Sequence, residues 1–221
     1  MLRLYIVRHG ETLFNIQHKV QGWCDSPLTE TGILQAKAAG IGLREINFRA
    51  AFTSTSERAV DTAHAILEGR DVPLFYSKKW KEFHFGIYEG NREESLFSEI
   101  KEVGPHMFDV FGECGGDTSE TCINRILSGM EEIRERYADG NILVVSHGGS
   151  IMMLASSLNP ELARMATQPE EEDPGSEPKD APKGMENCSV TTVCYDGGWK
   201  LEQMGDVSCR DRGMEVLKSA N

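Results

Sequence analysis

Two short apolar segments of this 221-residue chain end in the same way, although they lie far apart along it. Leu2 to Val7 is followed by Arg8-His9-Gly10, and Ile142 to Ser146 is followed by His147-Gly148-Gly149. Such apolar runs stopping near glycine predict buried strands that end in tight turns. Ligands of α/β sheets bind at the carboxyl ends of strands, so both histidines are predicted to lie where chemistry occurs. The alternative is that these are surface side chains that only cap a strand.

Segments typical of strands and helices alternate along the rest of the chain. Further strands are predicted at Ala50–Thr53, Ser189–Tyr195 and Trp199–Met204, the last two forming a hairpin. Helices are predicted at Thr31–Ile46, Ser56–Glu68, Ser119–Tyr137 and Ser150–Leu158. This alternation implies βαβ units and a mostly parallel sheet with helices on both faces. We therefore predict one α/β domain over residues 1–221, folded as a three-layer sandwich.

Two segments depart from this pattern. Residues 83–118 are rich in Gly, Phe and charged residues, and we expect them to pass over the carboxyl edge of the sheet. Residues 168–184 hold four of the eight prolines and six acidic residues against two lysines. A segment of this composition cannot bury apolar surface, so it is predicted to be a mobile loop. It is either an inert solvated insertion or a lid whose acidity repels polyanionic substrates.

Composition excludes several classes of protein. The formal net charge of −12 argues against nucleic acid or an anionic membrane as a partner. The six cysteines form no CxxC pair and no zinc-ligand spacing, which favours free thiols in a reducing compartment. No apolar run is long enough to cross a bilayer, and the N-terminus lacks the pattern of a signal peptide. We expect a cytoplasmic protein that acts as a monomer or homodimer.

Two further signals accompany the histidines. Arg58 follows a strand and lies just inside a predicted helix, and Glu82 precedes a run of aromatic residues. Aromatic surroundings favour the protonated form of a carboxyl, which is the form that a general acid needs. Parallel strands would deliver His9, Arg58 and His147 to one edge of the sheet, where guanidinium groups and helix N-termini together bind phosphate.

This combination of residues favours phosphoryl transfer. A neutral imidazole can attack phosphorus and form a phosphohistidine, which water then hydrolyses. Glu82 would protonate the departing alkoxide and later take a proton from the water. The second histidine and the two arginines would hold the oxygens of the phosphoryl group as charge shifts in the transition state.

The ordered set of motifs resembles the histidine phosphatase superfamily, the phosphoglycerate mutase-like group. The resemblance covers Leu2 to about Leu158 and resumes near residues 186–191 and 199–207. It rests on the following motifs: Arg8-His9-Gly10-Glu11-Thr12 with Asn15, Gln21-Gly22, Asp25-Ser26-Pro27-Leu28-Thr29, Thr53-Ser54 to Arg58, and Ser146-His147-Gly148. The segment from Glu82 to Gly90 is similar to that of small bacterial phosphatases of broad-specificity and α-ribazole-phosphate types.

The resemblance implies a role for each matching residue. His9 would be the phosphorylated nucleophile, and Glu82 would be the proton donor. The phosphoryl group would be bound by Arg8, Arg58 and His147, with further contacts from Asn15, Gln21, Gly22 and Gly148. His84 would either line the pocket or make a structural hydrogen bond. No metal and no cofactor are implied.

Three activities remain open at this point. The first is a phosphomonoester phosphatase acting on a small phosphorylated metabolite. The second is a cofactor-dependent phosphoglycerate mutase, although residues 91–113 contain Arg92 and Lys101 without the adjacent pair of arginines that would favour a second phosphate. The third, of a different class, is a non-catalytic protein of the same fold that binds a phosphorylated ligand.

Overall fold

The computed structural model of the protein describes residues 1–94, 108–159, 161 and 185–219. The acidic segment predicted to be a mobile loop, 168–184, lies outside the described residues. So does the middle of the predicted excursion at 83–118.

The described strands form one six-stranded sheet in the order β3-β2-β4-β1-β5-β6. Their bounds are β1 Leu2–Arg8, β2 Phe48–Thr53, β3 Leu74–Tyr76, β4 Gly140–Ser146, β5 Val190–Tyr195 and β6 Trp199–Asp206. Neighbouring strands from β3 to β1 pair in parallel, whereas β5 pairs antiparallel with both β1 and β6. The mostly parallel sheet and the β5–β6 hairpin confirm the prediction, and the short edge strand β3 is an addition to it.

Six α-helices are described. Their bounds are α1 Leu13–Ile16, α2 Glu30–Gly42, α3 Glu57–Ile66, α4 Ser119–Arg136, α5 Gly148–Leu158 and α6 Ser208–Ser219. Three short 3₁₀ turns lie between β3 and α4: Lys78–Trp80, Gly86–Tyr88 and Asp109–Cys114. The helix predicted to continue to residue 46 ends at Gly42, and both α1 and α6 are helices that the sequence pattern did not predict.

Residues that alternate along the strands are buried in two separate apolar layers, one on each face of the sheet. Ile6 and Val144 pack on one face of the sheet with residues of α4 and α5. Val7 and Val145 pack on the other face with residues of α2 and α3. Because the side chains of a strand alternate between faces, both faces need a helical cover. This arrangement confirms the three-layer α/β sandwich.

The register of β1 and β4 fixes the position of the two histidines. Arg8 lies opposite Ser146 in the parallel pair, and the main-chain N–H of His9 donates to the Ser146 carbonyl at 3.0 Å. His9 and His147 therefore leave adjacent strands at the same level. Arg58 lies in the first turn of α3, which follows the next strand, β2. The fold thus brings all three residues to one carboxyl edge.

All six cysteines are free thiols in the structure. Among the described residues, no helix combines the length and the apolar character that a bilayer crossing requires.

Candidate active site

His9 is buried at the end of β1, and its ring is held by its own main chain. Only 3% of the residue is exposed, and Nδ1 lies 2.8 Å from the carbonyl oxygen of Gly10. Since a carbonyl only accepts hydrogen bonds, Nδ1 carries the proton, which leaves the lone pair on Nε2. Burial, together with the positive charges of Arg58 and Arg8, holds the pKa of His9 well below its ordinary value. The ring is therefore neutral at neutral pH, the form that a nucleophile requires.

His147 lies beside His9, with their ring centroids 5.3 Å apart and their planes at 60°. It is fully buried, and its Nε2 lies 2.8 Å from the hydroxyl oxygen of Ser54. Burial and the charge of Arg58 hold the pKa of His147 well below its ordinary value. Both imidazoles are thus neutral rings in a positively charged pocket.

The guanidinium of Arg58 is completely buried and is fixed by the loop at residues 21–25. Nη1 donates to the carbonyl of Cys24 at 2.9 Å and to Oδ1 of Asp25 at 2.8 Å. Nη2 donates to the carbonyl of Gly22 at 2.8 Å. A planar guanidinium bound on its outer edge in this way cannot rotate, so the direction of its Nε–H is set by the loop.

Arg8 lies at the last position of β1 and contacts the C-terminal part of the chain. Its Nη1 donates to the carbonyl of Met185, and burial lowers the pKa of Arg8 from its ordinary value. Gly148 lies beside it: a Cβ at that position would lie 3.3 Å from Nε of Arg8. Gly148 therefore allows the start of α5 to approach the guanidinium closely.

Three buried nitrogen atoms of these residues have no hydrogen-bond partner among the described residues: Nε of Arg8, Nε of Arg58 and Nδ1 of His147. Buried polar nitrogens are rarely left without a partner, and such a group calls for an explanation. The charges of Arg8 and Arg58 both act on His9, and the His147 ring lies beside it, so all three nitrogens belong to residues near His9. Together they form a site in which a tetrahedral oxyanion can accept hydrogen bonds from several donors.

Glu82 lies just before the excursion and binds the N-terminus of α5. Its Oε1 accepts hydrogen bonds from the main-chain N–H of Phe83 at 2.8 Å and from the N–H and hydroxyl of Ser150 at 2.7 and 3.0 Å. Its Oε2 accepts one from the N–H of Gly149 at 3.0 Å. The expected aromatic setting is corrected here: the carboxylate meets N–H and O–H donors, while the Phe83 ring packs on Phe111 at 5.9 Å.

The other predicted contacts lie close to the site but bind protein atoms. Oδ1 of Asn15 accepts from the main chain of Thr12, and the Gln21 side chain bonds the hydroxyls of Thr12 and Ser26. Gly22 offers its carbonyl to Arg58. These residues shape the loop whose carbonyls hold the guanidinium of Arg58.

His84 makes structural contacts in the described part of the chain. Its main-chain N–H donates to Asp117 at 3.1 Å, and its ring lies 4.9 Å from that of Trp23. Its Nε2 lies 3.5 Å from the carboxylate of Glu89. His84 thus has structural partners, while a role in lining the pocket stays a prediction.

Sequence reasoning did not assign site roles to Asp25, Ser54, Ser150 and Glu89. Asp25 and Ser54 lie inside motifs that mark the resemblance, so their place in those motifs was a usable signal. Ser150 follows a glycine pair at a helix start, a position where a side chain can bind a neighbouring carboxylate. Glu89 had no local signal, because two of its partners are main-chain N–H groups more than sixty positions away along the chain.

No group of three or more His, Cys, Asp or Glu side chains in the described ranges is arranged to hold a metal ion. The site described above consists of donors suited to an oxyanion.

A family model described as the histidine phosphatase superfamily (branch 1) matches residues 4–169. The chain belongs to this superfamily. The match contains all of the residues that surround His9 from Arg8 to His147, so the ordered motifs and the geometry agree. The protein is an enzyme of the histidine phosphatase type.

Named relatives of this histidine phosphatase cover nearly its whole length. It is 27% identical over 220 residues to a protein of Shigella boydii serotype 18 (strain CDC 3083-94 / BS512) named "Probable phosphoglycerate mutase GpmB", covering 96% of each chain. The phosphoglycerate mutase structure from Bacillus anthracis str. Sterne is 30% identical, with a TM-score of 0.81 and 96% of each chain covered. Bacillus stearothermophilus YhfR is 28% identical, with a TM-score of 0.79, covering 95% of this chain and 100% of that one.

Proposed function

We propose that this enzyme is a phosphomonoester phosphatase that acts on small phosphorylated metabolites through a phosphohistidine at His9. The observation that supports this best is a set of three buried nitrogens, without a partner among the described residues, on the residues next to a neutral imidazole whose Nδ1 is already bonded. A phosphoryl group placed there meets a nucleophile and several hydrogen-bond donors at once.

In the first step Nε2 of His9 attacks phosphorus, an N–P bond forms and the bond from phosphorus to the ester oxygen breaks. The leaving oxygen takes a proton from Glu82. Since Oε1 of this carboxyl accepts three hydrogen bonds and Oε2 accepts one, Oε2 is the oxygen with room for the proton.

In the second step a water molecule attacks the phosphohistidine. Glu82, now a carboxylate, accepts a proton from the water, the N–P bond breaks, and His9 returns to its neutral form as inorganic phosphate leaves. Arg8, Arg58 and His147 hold the phosphoryl oxygens throughout, because their donors are fixed before the substrate arrives.

The second candidate is a phosphoglycerate mutase, which the names of two relatives favour. A mutase must retain a bisphosphate long enough to return the phosphoryl group to it. The absence of an adjacent pair of arginines from residues 91–113 supports transfer to water instead. Measuring the release of inorganic phosphate against isomerisation therefore separates the two candidates.

The test uses purified enzyme and two assays. Wild type should release phosphate from p-nitrophenyl phosphate, and His9→Ala should abolish this release, while acid-labile phosphate should be trapped on the wild type alone. With 3-phosphoglycerate and 2,3-bisphosphoglycerate, phosphate release should exceed isomerisation. A wild type that isomerises faster than it hydrolyses would establish the mutase, and unchanged turnover in His9→Ala would rule out this nucleophile.

A further inference from the structure

The side chain of Arg125, on α4, binds the main chain on either side of the Glu82 Cα. Its Nη1 donates to the carbonyl of Lys81 at 2.6 Å, and its Nη2 donates to the carbonyl of Glu82 at 3.0 Å. The fork of a guanidinium matches two successive carbonyls held at a fixed spacing. Arg125 thus fixes the peptide from which the Glu82 side chain projects.

Asp117 binds both the Arg125 side chain and the main chain of His84. Its Oδ2 accepts from Nη2 of Arg125 at 2.8 Å and from the main-chain N–H of His84 at 3.1 Å. Both charged side chains are largely buried, with 17% of Arg125 and 16% of Asp117 exposed. The pair therefore clamps residues 81–84 on both sides of Glu82, in surroundings that weaken the competition from water.

The other end of Glu82 is held by α5. The hydroxyl of Ser150 lies 2.9 Å from the Lys81 carbonyl and 3.0 Å from Oε1 of Glu82. The carboxyl is thus fixed at its main chain by α4 and at its oxygens by α5. Proton transfer to a leaving group depends on placing this carboxyl within hydrogen-bond reach of the ester oxygen.

We infer that Arg125 is a positioning residue for proton transfer by Glu82. This inference rests on the proposed phosphatase function. An aliphatic alkoxide is too basic to leave without a proton, whereas p-nitrophenolate is stable as an anion. Only a substrate of the first kind needs a well-placed general acid. Misplacement of Glu82 should therefore slow the hydrolysis of an alkyl phosphate far more than that of p-nitrophenyl phosphate.

The experiment compares two substrates whose leaving groups differ in this respect. The ratio kcat/KM, which reports the formation of the phosphohistidine, is measured with p-nitrophenyl phosphate and with glycerol 3-phosphate. General acid catalysis contributes about 10²–10⁴-fold, so partial misplacement of Glu82 in Arg125→Met should lower kcat/KM for glycerol 3-phosphate by roughly 10–100-fold. The loss with p-nitrophenyl phosphate should stay below about threefold, and Glu82→Gln should show the same selectivity in stronger form.

Three further variants complete the design. Arg136→Met removes an exposed arginine of the same helix, which is paired with Glu132. This variant should leave kcat/KM unchanged for both substrates. Asp117→Asn keeps the shape of the clamp and should reproduce the selective loss in weaker form, which decides the matter if Arg125→Met does not fold. In the double variant Arg125→Met with Glu82→Gln, the loss with glycerol 3-phosphate should not exceed that of Glu82→Gln alone.

The outcomes separate the inference from the function on which it rests. Equal losses with both substrates in Arg125→Met or Asp117→Asn would overturn the positioning role. A wild type that hydrolyses p-nitrophenyl phosphate but not glycerol 3-phosphate would overturn the inference, because no hydrolysis would then depend on a positioned general acid. A wild type that hydrolyses neither would overturn the phosphatase proposal itself.

Discussion

The hydroxyl oxygen of Ser54 lies 2.8 Å from Nε2 of His147, while Nδ1 of the same ring has no partner among the described residues. Ser54 already accepts a hydrogen bond from the main-chain N–H of Ser56 at 3.2 Å. If its own proton is donated to Nε2, the ring carries its proton on Nδ1, the nitrogen available to a phosphoryl oxygen.

We predict that Ser54→Ala weakens catalysis by removing this control over the His147 tautomer. One hydrogen bond is worth about 0.5–1.5 kcal/mol, so kcat/KM for p-nitrophenyl phosphate should fall roughly two- to tenfold. Ser56→Ala is the matched control, because its buried hydroxyl has no described partner and its main-chain bond to residue 54 is kept. Equal activity of Ser54→Ala and wild type would contradict the assignment.

The buried histidines should make the unliganded protein sensitive to acid. Burial holds the pKa of both His9 and His147 well below the ordinary value of 6.5. As the pH falls through about 6.5 the unfolded chain binds protons on these residues and the native state does not, so the free energy of unfolding falls. The melting temperature should therefore decrease from pH 7.5 to pH 5.5.

His9→Gln should flatten this decrease, because one of the two histidines no longer titrates. His18→Asn is the control: His18 is exposed and adopts a left-handed backbone with φ of 52°, which asparagine tolerates. A His9→Gln profile as steep as that of the wild type would show that the acid sensitivity has another origin.

Asp25 should be needed to bind phosphate, because it is the acidic partner of the buried Arg58. Its Oδ2 also accepts from the main-chain N–H of Glu57, at the start of α3. Hydrogen bonds to charged groups are worth about 1.5–3 kcal/mol, so Asp25→Ala should weaken competitive inhibition by inorganic phosphate roughly tenfold or more. The exposed Asp61 of α3 provides the control Asp61→Asn, and an unchanged inhibition constant in Asp25→Ala would refute this role.

Glu89 should affect substrate binding from a distance. Its carboxylate accepts from the main-chain N–H groups of Trp23 at 2.7 Å, Cys24 at 2.6 Å and Phe85 at 3.2 Å. The loop that it fixes carries the carbonyls that hold Arg58. Glu89→Gln should therefore raise KM for p-nitrophenyl phosphate more than it lowers kcat.

The matched control for this variant is Glu113→Gln, which alters an exposed acid of the same excursion. A Glu89→Gln variant in which kcat alone changes would place Glu89 in the chemical step instead of in the binding of the phosphoryl group.

The main strands were predictable from the sequence because each is a short apolar run that ends in polar or glycine-rich residues. Helix α6 was not predictable, since this helix is polar and packs through Gly213 against the main chain of Ala38. Only three residues of β3 pair with β2, too few for a strand pattern. Local patterns therefore identified five of the six described strands and missed the short edge strand β3.

The candidate site, like the fold, was predictable from the sequence only in part. His9 and His147 were predictable because each follows an apolar strand directly, and parallel strands share a carboxyl edge. The surroundings of Glu82 were not, because its carboxylate binds the start of α5, which lies 67 and 68 positions further along the chain. Contacts of this kind depend on how the layers pack, and no local pattern encodes them.

The pairing of β1 with β4 has a consequence for how such an enzyme can change. His9 and His147 are spaced by main-chain hydrogen bonds, such as that from His9 to Ser146, which every residue type can make. Substitutions in the segments outside the sheet therefore do not change the distance between His9 and His147. Loops can be replaced and the enzyme retargeted to another phosphate ester, while the centre that breaks the ester bond is inherited intact.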